Sequence, residues 1–308
     1  MKRYQTILVG AALDDRDATT LRHAACFAQA ARSKAVYVAH VAPSFDPPAT
    51  EKVDFLPRDE EIESQLAKLI EENRSLFPAE TKFQAVARQG PLALELIRLA
   101  SQKSADLFCL SSRPALTHDP LSHTALQLMR KSPCSVFIIP PGTTPSYDRI
   151  LVPIDFSDFA RESLDVACAI AQAMPQASLT LQHTYDVPLG WHKSGRTYEE
   201  FAEIMKHNAQ ERWEHLRPQI DFHGVSWTIR YDLGENVAKT ILDVAQEIDA
   251  RLIVMGSHGR TQPANFLLGH VADIVCSHSD RPVICVKKKG AMVNLLHALL
   301  QFYGFEDQ

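Results

Sequence analysis

The sequence has no apolar run of eighteen residues, so no transmembrane helix is expected. It has no excess of basic residues: 32 Lys and Arg stand against 37 Asp and Glu, a net charge of -5, which argues against a nucleic-acid partner. Its six cysteines (Cys26, Cys109, Cys134, Cys168, Cys276, Cys285) include no C-x-x-C pair. Most lie inside apolar runs, where a free thiol behaves as a small hydrophobe. Residues Met1 to Gln5 run into a strand-like segment without the apolar core of a signal peptide. A reduced, cytoplasmic protein is the expectation. Glycine is scarce as well: 12 in 308 residues, and none from Pro91 to Pro141.

The chain is one unit written twice. Thr6-Ile7-Leu8-Val9 matches Arg149-Ile150-Leu151-Val152 at an offset of 143, and the same offset relates His40 to His183. Gly90 matches Gly234 at 144, and Val136 to Ile139 match Val283 to Val286 at 147. The order is preserved and the period is that of a domain. In the second half, strands are expected over 150–154, 178–185, 225–231, 252–256 and 283–286. Helices are expected from an Asp158 cap to Met174, and over 199–216, 236–248 and 269–278. Alternating strands and helices, with near-continuously apolar strands, predict a parallel sheet covered on both faces. Ligands of such sheets bind at the carboxyl ends of the strands, at the switch point. Pro140 to Ser146 reads as the linker. The domain limits are set at 1–142 and 147–289, with a helical tail over 290–308.

The glycines gather where the switch point requires them. Leu252 to Met255 lead into Gly256, and Gly256, Gly259 and Gly269 are spaced G-x2-G-x9-G before a helix that starts near His270. Glycine lets a backbone approach a phosphate, and a helix start presents free N–H groups. Asp155 follows the first strand of this half, where its carboxylate can accept from ribose hydroxyls or a base amine; a turn or helix cap is the alternative. In the first half Ala12 stands where Asp155 stands, serines replace a glycine after the fourth strand, and Pro114 removes an N–H donor. That half reads as a structural partner, or as a cleft for a different ligand lined by Arg113, His118 and His123.

On Ile150 to Ser157, His183, Met255 to Thr261 and Gly269-His270-Val271, each half resembles a universal stress protein domain, and the chain resembles a tandem universal stress protein. The resemblance implies two open parallel-sheet domains, Rossmann-like and of the adenine nucleotide alpha hydrolase type, related by a pseudo-two-fold axis. It implies ATP, alone or with Mg, in the second domain. There Pro153, Ile154 and Asp155 would hold the adenosine, and Thr184 would meet the adenine edge through its backbone. Met255, Gly256, His258 and Gly259 would line the sugar and phosphates, and Gly269, His270 and Val271 would offer N–H groups to the phosphates. The family's ATP-binding pattern has Ser or Thr after the last glycine, and this chain has His270.

Three functions are in play. The resemblance implies a nucleotide-binding regulatory or adaptor protein of the stress response without dedicated catalysis. A slow ATP hydrolase and a ligand-free scaffold are the alternatives. The glycine loop holds no carboxylate, and His258 is its one plausible base. The tail carries apolar residues at Met292, Leu295, Leu296, Leu299 and Phe302, a helical stripe expected to pack on its own chain or to form a homodimer.

Overall fold

The computed structural model describes residues 3–43, 59–111, 120–174, 176–257 and 269–287. They fall into two compact units, one reaching to Pro145 and including Lys287, the other spanning Ser146–Val286. Expectations that fall on His258, Gly259, Arg113, Pro114, His118 and the tail lie outside the described residues.

Unit 1 runs β1 (Thr6–Gly10), α1 (Arg16–Ala31), β2 (Ala35–Ala42), α2 (Asp59–Asn73), β3 (Lys82–Gln89), α3 (Leu92–Gln102), β4 (Leu107–Ser111), α4 (Pro120–Lys131) and β5 (Ser135–Ile139). Its strands pair in parallel in the order β3-β2-β1-β4-β5. Unit 2 runs β6 (Arg149–Pro153), α5 (Asp158–Gln172), β7 (Ser178–Tyr185), α6 (Tyr198–Leu216), β8 (Ser226–Leu233), α7 (Val237–Glu247), β9 (Leu252–Gly256), α8 (His270–His278) and β10 (Val283–Val286). Its order is β8-β7-β6-β9-β10, again parallel. In each unit the strand order therefore reverses between the first and fourth strands. The α/β reading with Rossmann-like tandem domains holds.

The strands form where the sequence is apolar on both faces. Ile150, Leu151 and Val152 are buried, as are Leu252, Ile253 and Val254. In unit 1, Phe27 and Phe137 meet edge to face at 5.0 Å. Tyr4 and its repeat partner Tyr147 are both buried. The six cysteines are free thiols, and burial pushes Cys134 up to about 11 and Cys168 up to about 12.

All four helices of unit 2 start one residue from expectation, and in two of them the cap gives the reason. The cap of α5 is Ser157, not Asp158, because the Ser157 side chain reaches forward to accept from the Ala160 N–H, and the helix ends at Gln172 rather than Met174. Helix α6 begins at Tyr198 because Thr197 and Glu200 form a reciprocal capping box.

His23 of α1 is fully buried, with Nε2 3.1 Å from Thr143 Oγ1 and its ring edge-on to Phe137. Burial pushes its pKa down from 6.5 to about 4, with the hydrogen bond to Thr143 opposing and nearby Arg22 assisting. The unfolded chain takes the proton first. Stability is therefore intact above about 6.5 and is lost as the pH falls toward 4, by about 3 kcal/mol. Urea unfolding should show this loss between pH 7 and 4.5, and His23→Gln should remove it. An identical pH profile in the variant would contradict the assignment.

Candidate functional site

The carboxyl edge of unit 2 opens between β6 and β9. The Ile154 N–H donates to Gln182 O on β7 at 2.8 Å. Backbone groups of a parallel ladder alternate sides, so Pro153 turns its backbone toward β9. Proline has no N–H to give. Pairing of β6 with β9 covers Ile150–Leu252 and Leu151–Ile253 and goes no further among the described residues. Beyond that point each strand stays with its outer neighbour. Pro153 remains opposite Gln182, and Met255 and Gly256 remain opposite Cys285 and Val286. The two strand ends are held apart by their partners.

Unit 1 makes the comparison direct. The Ala11 N–H donates to Ala39 O at 2.8 Å, the same bond at the same offset. The residue before it is Gly10, which keeps its N–H, and β1 pairs with β4 from Ile7–Leu107 through Gly10–Leu110. A Cβ built on Gly10 would stand 3.0 Å from Leu110 Cδ1 and 3.4 Å from Phe108 Cζ. Those two buried side chains occupy the space over the strand end. Ala12 offers no carboxylate there, and its N–H is taken by Asp17 Oδ1 at 2.8 Å. The Asp17 carboxyl is buried, and burial raises its pKa against the backbone donors of Ala12 and Leu13.

The loop after β6 is built to hold Asp155. Phe156 adopts a left-handed φ of 63°, which turns Ser157 back onto the carboxylate. Asp155 Oδ1 then accepts from the Ser157 N–H at 3.1 Å and from its hydroxyl at 2.6 Å. Beneath it, His183 Nδ1 donates to Ile154 O at 2.8 Å, and its ring lies 4.4 Å from that of Phe156. His183 is thus a strut for the loop. Its repeat partner His40 bonds Ala11 O at 3.0 Å, and Leu13 repeats the left-handed turn at 61°.

Thr184 follows Gln182 by two on β7. Its backbone turns toward β6 just past the last residue of that strand, so the position suits an edge-on contact to a planar group. Gly234 sits against it: a Cβ there would stand 3.4 Å from Thr184 Cγ2 and 2.4 Å from Thr240 Oγ1. Sequence reasoning paired Gly234 with Gly90 but assigned it no place beside the site, although its position after β8 was the available signal.

On the β9 side, Ser257 is buried and its N–H donates to Val286 O at 3.0 Å. Gly269 caps α8 without a side-chain hydrogen bond. Its own N–H donates to Ser257 O at 2.8 Å, which ties the helix entry to the end of β9. The expectation that Gly269 offers its N–H outward is corrected on this point. The first-turn N–H groups without an intrahelical acceptor are those of His270, Val271 and Ala272, the first bond of the helix running from the Asp273 N–H to Gly269 O, and His270 is exposed. The described residues at this edge fit an anionic nucleotide in two respects: a positioned carboxylate on the β6 side, and a helix start without a side-chain cap on the β9 side.

A universal stress protein family model matches residues 3–140 and again residues 146–287. The chain belongs to the universal stress protein family, in a tandem arrangement. A universal stress protein of Methanocaldococcus jannaschii is 32% identical over 144 residues, covering 46% of this chain and 83% of that one. One from Synechocystis is 30% identical over 155 residues, covering 46% of this chain and 98% of its own length. The crystal structure of a universal stress protein from Archaeoglobus fulgidus shares the fold across both halves. Its TM-score is 0.63 at 18% identity, and the match covers 93% of this chain and 99% of that chain. Among the described residues no helix is long and apolar enough to cross a membrane.

If the missing donor of Pro153 keeps β6 and β9 apart, Pro153→Val should let the ladder extend. Hydrogen exchange should then show the new amide at position 153 protected at least tenfold over its intrinsic rate. An unprotected amide would place the cause elsewhere.

Proposed function

We propose that unit 2 binds ATP at the carboxyl edge between β6 and β9, and that the chain serves as a nucleotide-binding regulatory or adaptor protein of the stress response. The observation that carries this reading is the separation of β6 from β9 beyond Leu151–Ile253, with Asp155 positioned beside it. Pro153, Ile154 and Asp155 would hold the adenosine, and Thr184 would meet the base edge through its backbone. Met255, Gly256, His258 and Gly259 would line the sugar and phosphates. The N–H groups of His270 and Val271 would face the phosphates, with Gly269 setting the turn. A Mg ion would enter with the phosphates, whose charge it neutralises.

Unit 1 serves in this reading as a structural partner. Its edge is zipped to the last residue of β1 and filled by Leu110 and Phe108. The domain limits follow the repeat, 1–142 and 147–289, with a tail from 290. The place of action is the cytoplasm.

Calorimetry on the full chain should find one ATP site per chain, and Gly259→Arg should abolish it. Two equal sites, or binding that survives the variant, would refute the assignment to unit 2. Denaturing the purified protein and identifying the released nucleotide tests the class of function. ATP supports a binding protein, and predominantly ADP would move the reading to hydrolysis.

A further inference from the structure

Gln182 stands opposite Pro153 in the ladder, and its side chain is 1% exposed. Its Nε2 donates to Thr184 Oγ1 at 3.2 Å. Its Oε1 has no hydrogen-bond partner among the described residues. The bond to Thr184 fits the two-residue period that puts both side chains on one face of the sheet. Pro153, in register with Gln182, shares that face. So does Met255, two residues beyond the Leu151–Ile253 pair on β9. Gln182, Pro153 and Met255 therefore share one face of the sheet at the level where β6 and β9 part.

A buried acceptor without a donor is disfavoured, and such groups are few in folded proteins. The repeat shows that this one is not required by the fold. Ala39 holds the equivalent position in unit 1, with its carbonyl making the same bond to Ala11 that Gln182 makes to Ile154. Ala39 is equally buried and brings no polar atom. The methyl group occurs in the unit whose edge is closed, and the amide occurs in the unit whose edge is open. A ligand with a hydrogen-bond donor supplies what Oε1 lacks.

We infer that Gln182 is a specificity-determining residue, its Oε1 accepting a hydrogen bond from the exocyclic amino group of the adenine base. The inference rests on the ATP-binding reading and adds to the Thr184 backbone a side-chain group that tells adenine from a 6-oxopurine. Adenine carries an amino donor at C6. Hypoxanthine and guanine carry an oxygen there, which would oppose the Gln182 carbonyl oxygen and leave it without a donor. A site that holds a buried polar group for its ligand rejects an analogue that cannot pair with it.

The test compares ATP with inosine triphosphate, which has the same ribose and phosphates. The full-length chain should bind ATP about ten- to a hundredfold more tightly, as one hydrogen bond to a buried acceptor implies. Gln182→Met keeps the length and removes the acceptor. It should bring the ratio close to one, chiefly by weakening ATP. Gln182→Ala, the residue of unit 1, should do the same. The wild-type ratio is a test that needs no variant. A ratio near one, a preference for inosine triphosphate, or a ratio unchanged in Gln182→Met would overturn the inference and leave nucleotide binding standing. Binding of neither nucleotide would overturn the ATP reading itself.

Discussion

One missing N–H group organises the carboxyl edge of unit 2. A parallel ladder stays closed as long as each strand alternates its donors between two neighbours. Pro153 breaks that alternation on the side of β9 alone, since its neighbours Val152 and Ile154 still serve β7. The pairing of β6 with β9 ends after Leu151–Ile253, while β6 stays paired with β7 through Pro153 and β9 with β10 through Gly256. The pairing of β6 with β9 thus ends where the next donor on β6 toward β9 would be that of Pro153. Asp155 follows the end of β6 there, and Gly256 ends β9.

Duplication separates what the fold needs from what the edge adds. The buried tyrosines Tyr4 and Tyr147 recur in both units, as do the histidine struts His40 and His183 and the left-handed turns at Leu13 and Phe156. Features present in both units, including the one whose edge is closed, belong to the architecture. Pro153, Asp155 and Gln182 have Gly10, Ala12 and Ala39 as counterparts. At these places the two units part: Pro153 and Asp155 lie at the switch point, and Gln182 stands one strand over, opposite Pro153. His183 is one of the residues that carry the family resemblance, and its bond to Ile154 O and its repetition as His40 in unit 1 make it a support for the loop.

Much of this was legible in the sequence. The repeat, the strand limits 178–185, 252–256 and 283–286, and the absence from unit 1 of a carboxylate and a glycine at the matched positions follow from apolar runs and from residue identity. Periodicity and offset are local, one-dimensional quantities, and the chain states them directly. Helix starts were less legible. Whether Ser157 or Asp158 caps α5 depends on which side chain reaches an N–H three residues on, and both residue types are competent caps.

The sequence by itself determined that two α/β units follow one another, that glycines and a carboxylate meet at one sheet edge of the second, and that the first lacks them. Tertiary structure decided which backbone groups are already engaged there. Gly269 is a loop glycine by sequence, but its N–H belongs to Ser257 O. Gln182 is one polar residue in an apolar strand by sequence, and only packing leaves its Oε1 buried without a donor. Pro153 was visible from the start, but the side of the strand on which its missing donor falls is set by the pairing of β6 with β7 and β9. The reason is the same in each case. A hydrogen bond is a relation between two positions, and the chain names the donors and acceptors without saying which ones meet.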